Sequence, residues 1–299
     1  MLHPHTIIII CGPTAVGKTA FAVRLAQALQ TEIISADSRQ CFKELNIGVA
    51  KPSAEELVAV PHYFINSHSI FEEVNAGVFE QYALKAAQKI FEKHTVAVMV
   101  GGTGLYIKAF CEGMDNVPAV DPLIRQKVIA GYQEKGLEFL QKQLAEKDPD
   151  FWQMAEQQNP HRLMRALEIF LSTGKSVTTF RIRDKKNRPF NIIKIGLELP
   201  RQQLNEQINQ RTSIMFKQGL LDEALALYPS RSLNALQTVG YRELFDFMEK
   251  RYFLEEAIEK IKINTRQYAK RQMTWFKKDL TVRWYSAHEV SQKEILSLL

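Results

Sequence analysis

Eight consecutive residues carry the clearest chemistry in this chain of 299 residues: Gly12, Pro13, Thr14, Ala15, Val16, Gly17, Lys18 and Thr19. They fit G-x-x-x-x-G-K-[ST], follow the apolar run Thr6–Ile10, and open a stretch with helical spacing. These residue types suit one task, holding a phosphorylated ligand. Glycines let backbone N–H groups turn inward around phosphate oxygens. The helix N-terminus adds a favourable dipole. Lys18 supplies a point charge, and the Thr19 hydroxyl is suited to hold Mg²⁺.

A second cluster follows the next strand-like run: Asp37, Ser38, Arg39 and Gln40. It combines a carboxylate base, an anion partner and an amide suited to a nucleobase edge. A third run, Val96–Val100, leads into Gly101-Gly102-Thr103-Gly104 with no acid, so the Mg²⁺-binding carboxylate usual in P-loop ATPases is missing there. In a doubly wound sheet the carboxyl ends of neighbouring strands share one crevice. That expectation puts Asp37 beside the phosphate loop.

The elements that must position these residues are legible as a rhythm. Strand-like runs at Thr6–Ile10, Glu32–Ser35 and Thr95–Val100 alternate with helical spacing at Thr19–Leu29 and Phe79–Lys93. Such β-α-β alternation implies an α/β fold with a parallel sheet. Residues 112–122 are turn-rich. From Leu123 to about Leu171 the pattern is helical, with breaks expected near Gly131, Gly136 and Pro149. Asn159-Pro160 reads as a helix start and Gly174 as a stop. Ile192–Leu199 reads as a strand returning to the sheet, and helices are expected at about 201–217, 220–227, 240–249 and 254–279. The expected architecture is a P-loop NTPase-like parallel sheet flanked by helices, built from 1–112 and 192–299. A helical insertion occupies 113–191.

Composition narrows the class. Hydrophobic residues make up 45% and charged residues 24%, which excludes a disordered chain. The net charge of +6 and pI near 9.1 favour a polyanionic partner. Cys11, Cys41 and Cys111 have no metal-binding spacing, so neither a zinc site nor a disulfide framework is expected. No apolar stretch approaches membrane-spanning length, and the opening Met1–Thr14 reads as a buried strand rather than a leader. The expectation is a cytoplasmic protein, by default a monomer.

Five ordered motifs converge on one family. They are Gly12–Thr19, Ile34-Ser-Ala-Asp-Ser-Arg-Gln40, Ile47-Gly-Val-Ala-Lys-Pro52, Gly101-Gly-Thr-Gly-Leu-Tyr-Ile107 and Thr265-Arg-Gln-Tyr-Ala-Lys-Arg-Gln272. With His161-Arg-Leu-Met-Arg-Ala-Leu-Glu168, Gly219-Leu220 and Val239-Gly-Tyr241, the sequence resembles bacterial tRNA dimethylallyltransferases over about residues 6–284. The resemblance implies transfer of a five-carbon group from dimethylallyl diphosphate to the 6-amino group of the adenosine just 3′ of the anticodon. Diphosphate leaves. It implies catalytic roles for Asp37, Thr19 and Thr103, with Mg²⁺ at Thr19 and diphosphate on Gly12–Thr19. It also implies an anticodon stem-loop contact through Asp37, Ser38, Arg39, Gln40, Thr103, Arg125, His161, Arg162, Leu163, Met164, Arg165, Gln237, Gly240 and Tyr241. Chemically, an adenine amino group is a poor nucleophile, and a carboxylate in reach takes its proton as the C–N bond forms.

The sequence departs from the family at several positions. Val16 replaces a usual serine, so a hydroxyl contact is lost while the backbone N–H remains. His62-Tyr63 replaces a His-His pair, Asn205 replaces an aromatic residue, and His161 replaces a glutamine. Two stretches remain open. The basic run Arg181, Arg183, Lys185, Lys186, Arg188 could reach RNA phosphates. Ile261, Tyr268 and Trp275 form an apolar stripe read as core. A prenyltransferase acting on free adenine nucleotides, a P-loop phosphotransferase or ATPase, and a non-catalytic RNA-binding protein are the alternatives.

Overall fold

The computed structural model describes residues 4–115, 117–181 and 185–299. Arg183 of the basic run lies outside them. The chain divides into two compact units, Met1–Gly113 with Asn187–Leu299, and Met114–Lys186.

The first unit is an α/β layer structure. In chain order its elements begin with β1 (Thr6–Cys11), α1 (Lys18–Ala28), β2 (Ile33–Ser35), α2 (Ala54–Ala59), β3 (His62–Tyr63), α3 (Ala76–Phe91), β4 (Val96–Val100) and α4 (Gly104–Glu112). The second unit inserts α5 (Pro122–Lys147), α6 (Pro149–Met154) and α7 (Pro160–Thr173). The first unit then resumes with β5 (Asn191–Glu198), α8 (Arg201–Lys217), α9 (Leu220–Leu227), α10 (Tyr241–Met248), α11 (Leu254–Phe276), β6 (Val282–Ser286) and α12 (Gln292–Leu296).

The sheet is fully parallel, ordered β3-β2-β4-β1-β5-β6. Its centre is the isoleucine run. Ile7 and Ile9 enter one core with α3 and α4, while Ile8 and Ile10 enter the opposite core with α1. All four are fully buried. A strand covered on both faces needs apolar residues at every position, which is why β1 shows no alternation. No described helix is long and apolar enough to cross a membrane.

The second unit has its own core of Val128, Leu140, Leu144, Phe151, Leu163 and Leu167. Asn159 caps α7 by accepting from the Arg162 N–H, and Gly174 ends it in the left-handed region at φ 69°. Gly136 breaks α5, at φ 69° and ψ −160°. Gly131, expected as a break, stays helical. Its missing side chain instead admits the ring of Phe139.

Two strands escaped the sequence pattern. β3 has only two residues, and β6 is an edge strand whose Val-Arg-Trp-Tyr-Ser shows neither a continuous apolar run nor strict alternation. The apolar stripe of α11 is only partly core. Ile261 is buried, but Trp275 lies against Gly104 with 45% of its surface exposed. Arg188 is no RNA contact. It is buried, its Nη2 donating to Glu80 at 2.8 Å and to the Ala109 carbonyl, its Nε to the Phe110 carbonyl. Arg188 thus caps the end of α4 and belongs with the returning chain.

Candidate active site

The phosphate loop bridges β1 and α1. Gly12, at φ 141°, passes so close to β5 that a Cβ would strike the Leu197 carbonyl. Ala15 (φ 67°) and Gly17 (φ 91°) both take the left-handed region. Alternation of this kind turns successive N–H groups into one concavity. Val16 has its side chain buried beneath α1, so its departure from serine adds core contact.

Two cavities open along the carboxyl edge of the sheet. The larger, about 300 Å³, is lined by Thr14, Ala15, Gly17, Lys18 and Thr19 of the loop, with Asp37 and Gln40 across from them. The smaller, about 110 Å³, shares Thr14, Asp37 and Arg211. It runs on past Arg39 to Met215, Val239, Gly240 and Tyr268. Asp37 therefore faces both spaces.

Lys18 donates to the Pro13 carbonyl at 2.7 Å. Burial pushes its ammonium down from 10.5 to about 8; Arg211 adds to that shift, and Asp37 opposes it. Arg211 of α8 is a site residue that sequence reasoning missed. Its Nη2 donates to the Thr14 hydroxyl at 2.6 Å, and burial lowers its pKa, with Asp37 opposing. Two partly desolvated cations thus converge on one cradle, an arrangement that waits for an anion. The only signal in the sequence was one arginine in a polar helix, with no spacing to mark it.

The Asp37 carboxylate is held by its own turn. Its Oδ1 accepts from the Arg39 N–H at 2.8 Å and from the Gln40 N–H at 3.3 Å. Oδ2 has no hydrogen-bond partner among the described residues, so it can accept from a ligand. Thr103, in the loop after β4, accepts from the Ser38 N–H at 3.0 Å. That bond ties the glycine-rich loop to the Asp37 turn. Gln272 of α11, buried, ties it to the phosphate loop. Its Oε1 accepts from the Thr14 N–H at 2.7 Å and its Nε2 donates to the Gly102 carbonyl at 2.9 Å. A side chain at Gly102 would strike that amide.

Three expected RNA contacts are corrected. Gln40 does not offer its amide to a base. Its Nε2 donates to the Val49 and Ala50 carbonyls and its Oε1 accepts from the Ser35 hydroxyl. Tyr241 is fully buried and donates to Glu223 at 2.6 Å, so it braces the wall instead of facing solvent. Leu163 is fully buried in the core of the second unit. Around it, His161, Arg162 and Arg165 are exposed on α7, with Met164 half-buried. Arg162 pairs with Glu156 at 3.3 Å and Arg165 with Glu168 at 3.7 Å. Arg125 is exposed on α5, and Gln237 is exposed in the first unit. Gly240, at φ 102°, is buried against the smaller cavity.

His62, given no role from sequence, lines the larger cavity. Its Nδ1 lies 2.7 Å from the Val60 carbonyl, and burial lowers its pKa. The three thiols are buried and unpaired, with Cys11 and Cys41 pushed up to about 12 and Cys111 to about 11 by burial. They are inert as nucleophiles.

A parallel sheet, a strand-loop-helix anion cradle with two cations, and a carboxylate on the opposite wall define a P-loop-type α/β protein. Its catalytic carboxylate candidate lies after β2 rather than in the usual Mg²⁺ position. Residues 40–279 match the family model described as IPP transferase. The chain is 49% identical over 286 residues to the tRNA dimethylallyltransferase of Christiangramia forsetii, covering 96% of this chain and 95% of that one. It is 44% identical over 294 residues to tRNA dimethylallyltransferase 1 of Bacteroides thetaiotaomicron, covering 98% and 95%. The full-length tRNA isopentenylpyrophosphate transferase of Bacillus halodurans has a similar structure, with a TM-score of 0.72 and 35% identity, covering 98% of this chain and 94% of that one. A eukaryotic dimethylallyltransferase captured acting on tRNA superposes with a TM-score of 0.77 at 26% identity, covering 95% and 74%. The chain belongs to the IPP transferase family.

Proposed function

We propose that this protein is a tRNA dimethylallyltransferase that moves the dimethylallyl group of dimethylallyl diphosphate onto N6 of the adenosine 3′ of the anticodon. The observation that carries the reading is the shared cavity, with the phosphate loop and its cations on one side and Asp37 on the other. The donor's diphosphate fits the loop N–H groups, Lys18 and Arg211. An unstacked adenine entering the cavity brings N6 to Asp37. As N6 bonds to C1 of the donor, the C1–O bond breaks and the electron pair leaves with diphosphate. The proton on N6 passes to Asp37. Lys18, Arg211 and the backbone donors stabilise the charge that develops on the leaving oxygen.

Mg²⁺ fits this site in a particular way. No group of three or more His, Cys, Asp or Glu residues suited to a metal exists among the described residues. Thr19, on the cavity wall, offers one hydroxyl. Mg²⁺ ordinarily keeps several waters and takes the rest of its shell from substrate phosphates. When bound it would neutralise diphosphate charge. Thr103, which holds Ser38, is read as supporting the base-binding side.

The test is direct. Purified protein is incubated with hypomodified tRNA, dimethylallyl diphosphate and Mg²⁺, and digested nucleosides are analysed by mass spectrometry. Isopentenyladenosine that depends on the protein is expected. Its absence with folded protein and competent tRNA, or its appearance only on free AMP, ADP or ATP, would overturn the reading.

A further inference from the structure

The Asp37 turn is not rigid by itself. Its second backbone donor comes from Gln40, and the Gln40 side chain is anchored outside the turn, on Val49 and Ala50. Its amide donates to the Val49 carbonyl at 3.3 Å and the Ala50 carbonyl at 2.9 Å. Those carbonyls close a single 3₁₀ turn, Ile47–Val49, after which Ala50 takes φ 48°. A short turn with a non-glycine residue in the left-handed region is strained unless neighbours over-determine it. One side chain does so. Glu223 of α9 accepts from the Ile47 N–H at 2.8 Å and the Gly48 N–H at 2.9 Å. The same carboxylate accepts from the Tyr241 hydroxyl at 2.6 Å. The Tyr241 ring fills the place a side chain on Gly48 would take.

We infer that Glu223 is a positioning residue for the transfer reaction, setting the Asp37 carboxylate through the 47–50 turn and Gln40. The inference rests on the reading of Asp37 as the proton acceptor. The chemistry of the chain is directional. Glu223 offers only acceptors, the turn presents donors to it and carbonyls to Gln40, and Gln40 then presents its own N–H to Asp37 Oδ1. An amide at 223 reverses one end of this sequence, because its NH₂ cannot accept and so forfeits either the bond from Ile47 or those from Gly48 and Tyr241. Val49 and Ala50 also line both cavities, so the same clamp shapes the wall opposite the phosphate loop. Carboxylates with several donors are strong fixtures, and losing one leaves backbone groups unpaired in a partly buried place.

The experiment is a double-mutant cycle in single turnover, with enzyme in excess and saturating, so that the rate constant does not depend on the active fraction. Glu223→Gln and Gln40→Ala are each expected to slow transfer by ~10-fold or more, with RNA and donor affinities within about threefold of the wild type. Because both act through one chain, the double variant is expected to be no more than about threefold slower than the slower single variant. Multiplicative rates in the double variant, or a Glu223→Gln rate within about twofold of the wild type while Asp37→Ala is inactive, overturn the inference alone. An active Asp37→Ala overturns the proton-acceptor reading and the inference with it. If Glu223→Gln does not fold, Gln40→Ala carries the test, and full speed there is fatal to the idea.

Discussion

Lys18 and Asp37 answer different questions, and their substitutions separate them. Asp37→Ala removes the proton acceptor while leaving the phosphate loop intact. Single-turnover transfer is expected to fall by about 10²–10⁴-fold, while donor affinity changes little. A variant that turns over at near-normal speed removes Asp37 from that role. Lys18 is read by pH. In the free protein it titrates near 8, against 10.5 for an ordinary lysine. Between those values the unfolded chain holds a proton that the folded chain has released. The destabilising contribution of Lys18 is therefore complete below about 8 and relieved as pH rises toward 10.5. An anionic donor pairs with the ammonium and favours its protonation. Donor binding at pH 9 is thus expected to take up a proton, seen by calorimetry in two buffers of different ionisation enthalpy. At pH 7 this uptake should vanish, as it should in Lys18→Ala. Equal uptake in the variant and the wild type would rule Lys18 out as its source.

At the scale of elements, the site is made by side chains that tie helices to loops. Gln272 fastens α11 to the phosphate loop and to the Gly102 carbonyl, and Arg211 brings α8 to Thr14. Gln272 closes the motif Thr265–Gln272, so its place beside the site was legible, whereas the Arg211 tie shows in no sequence pattern. The phosphate loop itself was legible because its function constrains backbone and side chain within eight adjacent residues. The Asp37 turn was legible because strands of a parallel sheet end at one edge. Gln40 and Tyr241 were misread because residue type alone does not tell whether an amide or phenol is already satisfied inside the fold. β6 was missed because its apolar positions do not alternate cleanly. The broken helix α5 shows the opposite case, where local sequence and backbone agree. Gly136 sits at φ 69° and ψ −160°, a region open essentially to glycine. Among the described residues nothing beyond the local chain lies within 4 Å of the Cβ position, so backbone strain is what opposes a side chain there. Gly136→Ala is expected to destabilise the protein by about 1–3 kcal/mol, measured by denaturant unfolding. No loss of stability would mean that the break is not imposed by glycine.

At the scale of the whole molecule, a net charge of +6 is too small to hold an RNA by itself, so placement decides. On α7 the apolar side is committed to the core through Leu163, Ala166 and Leu167, while His161, Arg162 and Arg165 remain in solvent. Among the described residues the Arg162 side chain is held by an exposed pair with Glu156, with 54% and 62% of the two side chains accessible. A pair of that kind contributes little, so exchanging its carboxylate for a phosphate costs little. RNA affinity should therefore fall linearly on a logarithmic salt scale, with about 0.7 in slope for each single-stranded phosphate neutralised. Arg162→Ala is expected to flatten that slope by about 0.7 and to weaken all anticodon loops alike. Leu163→Ala, one residue along the same helix, should leave the slope unchanged and cost about 2–5 kcal/mol of stability through the cavity it opens. If salt leaves the affinity nearly constant, or if Arg162→Ala keeps the full slope, α7 is not part of the RNA-binding surface. Its basic face then serves only solubility.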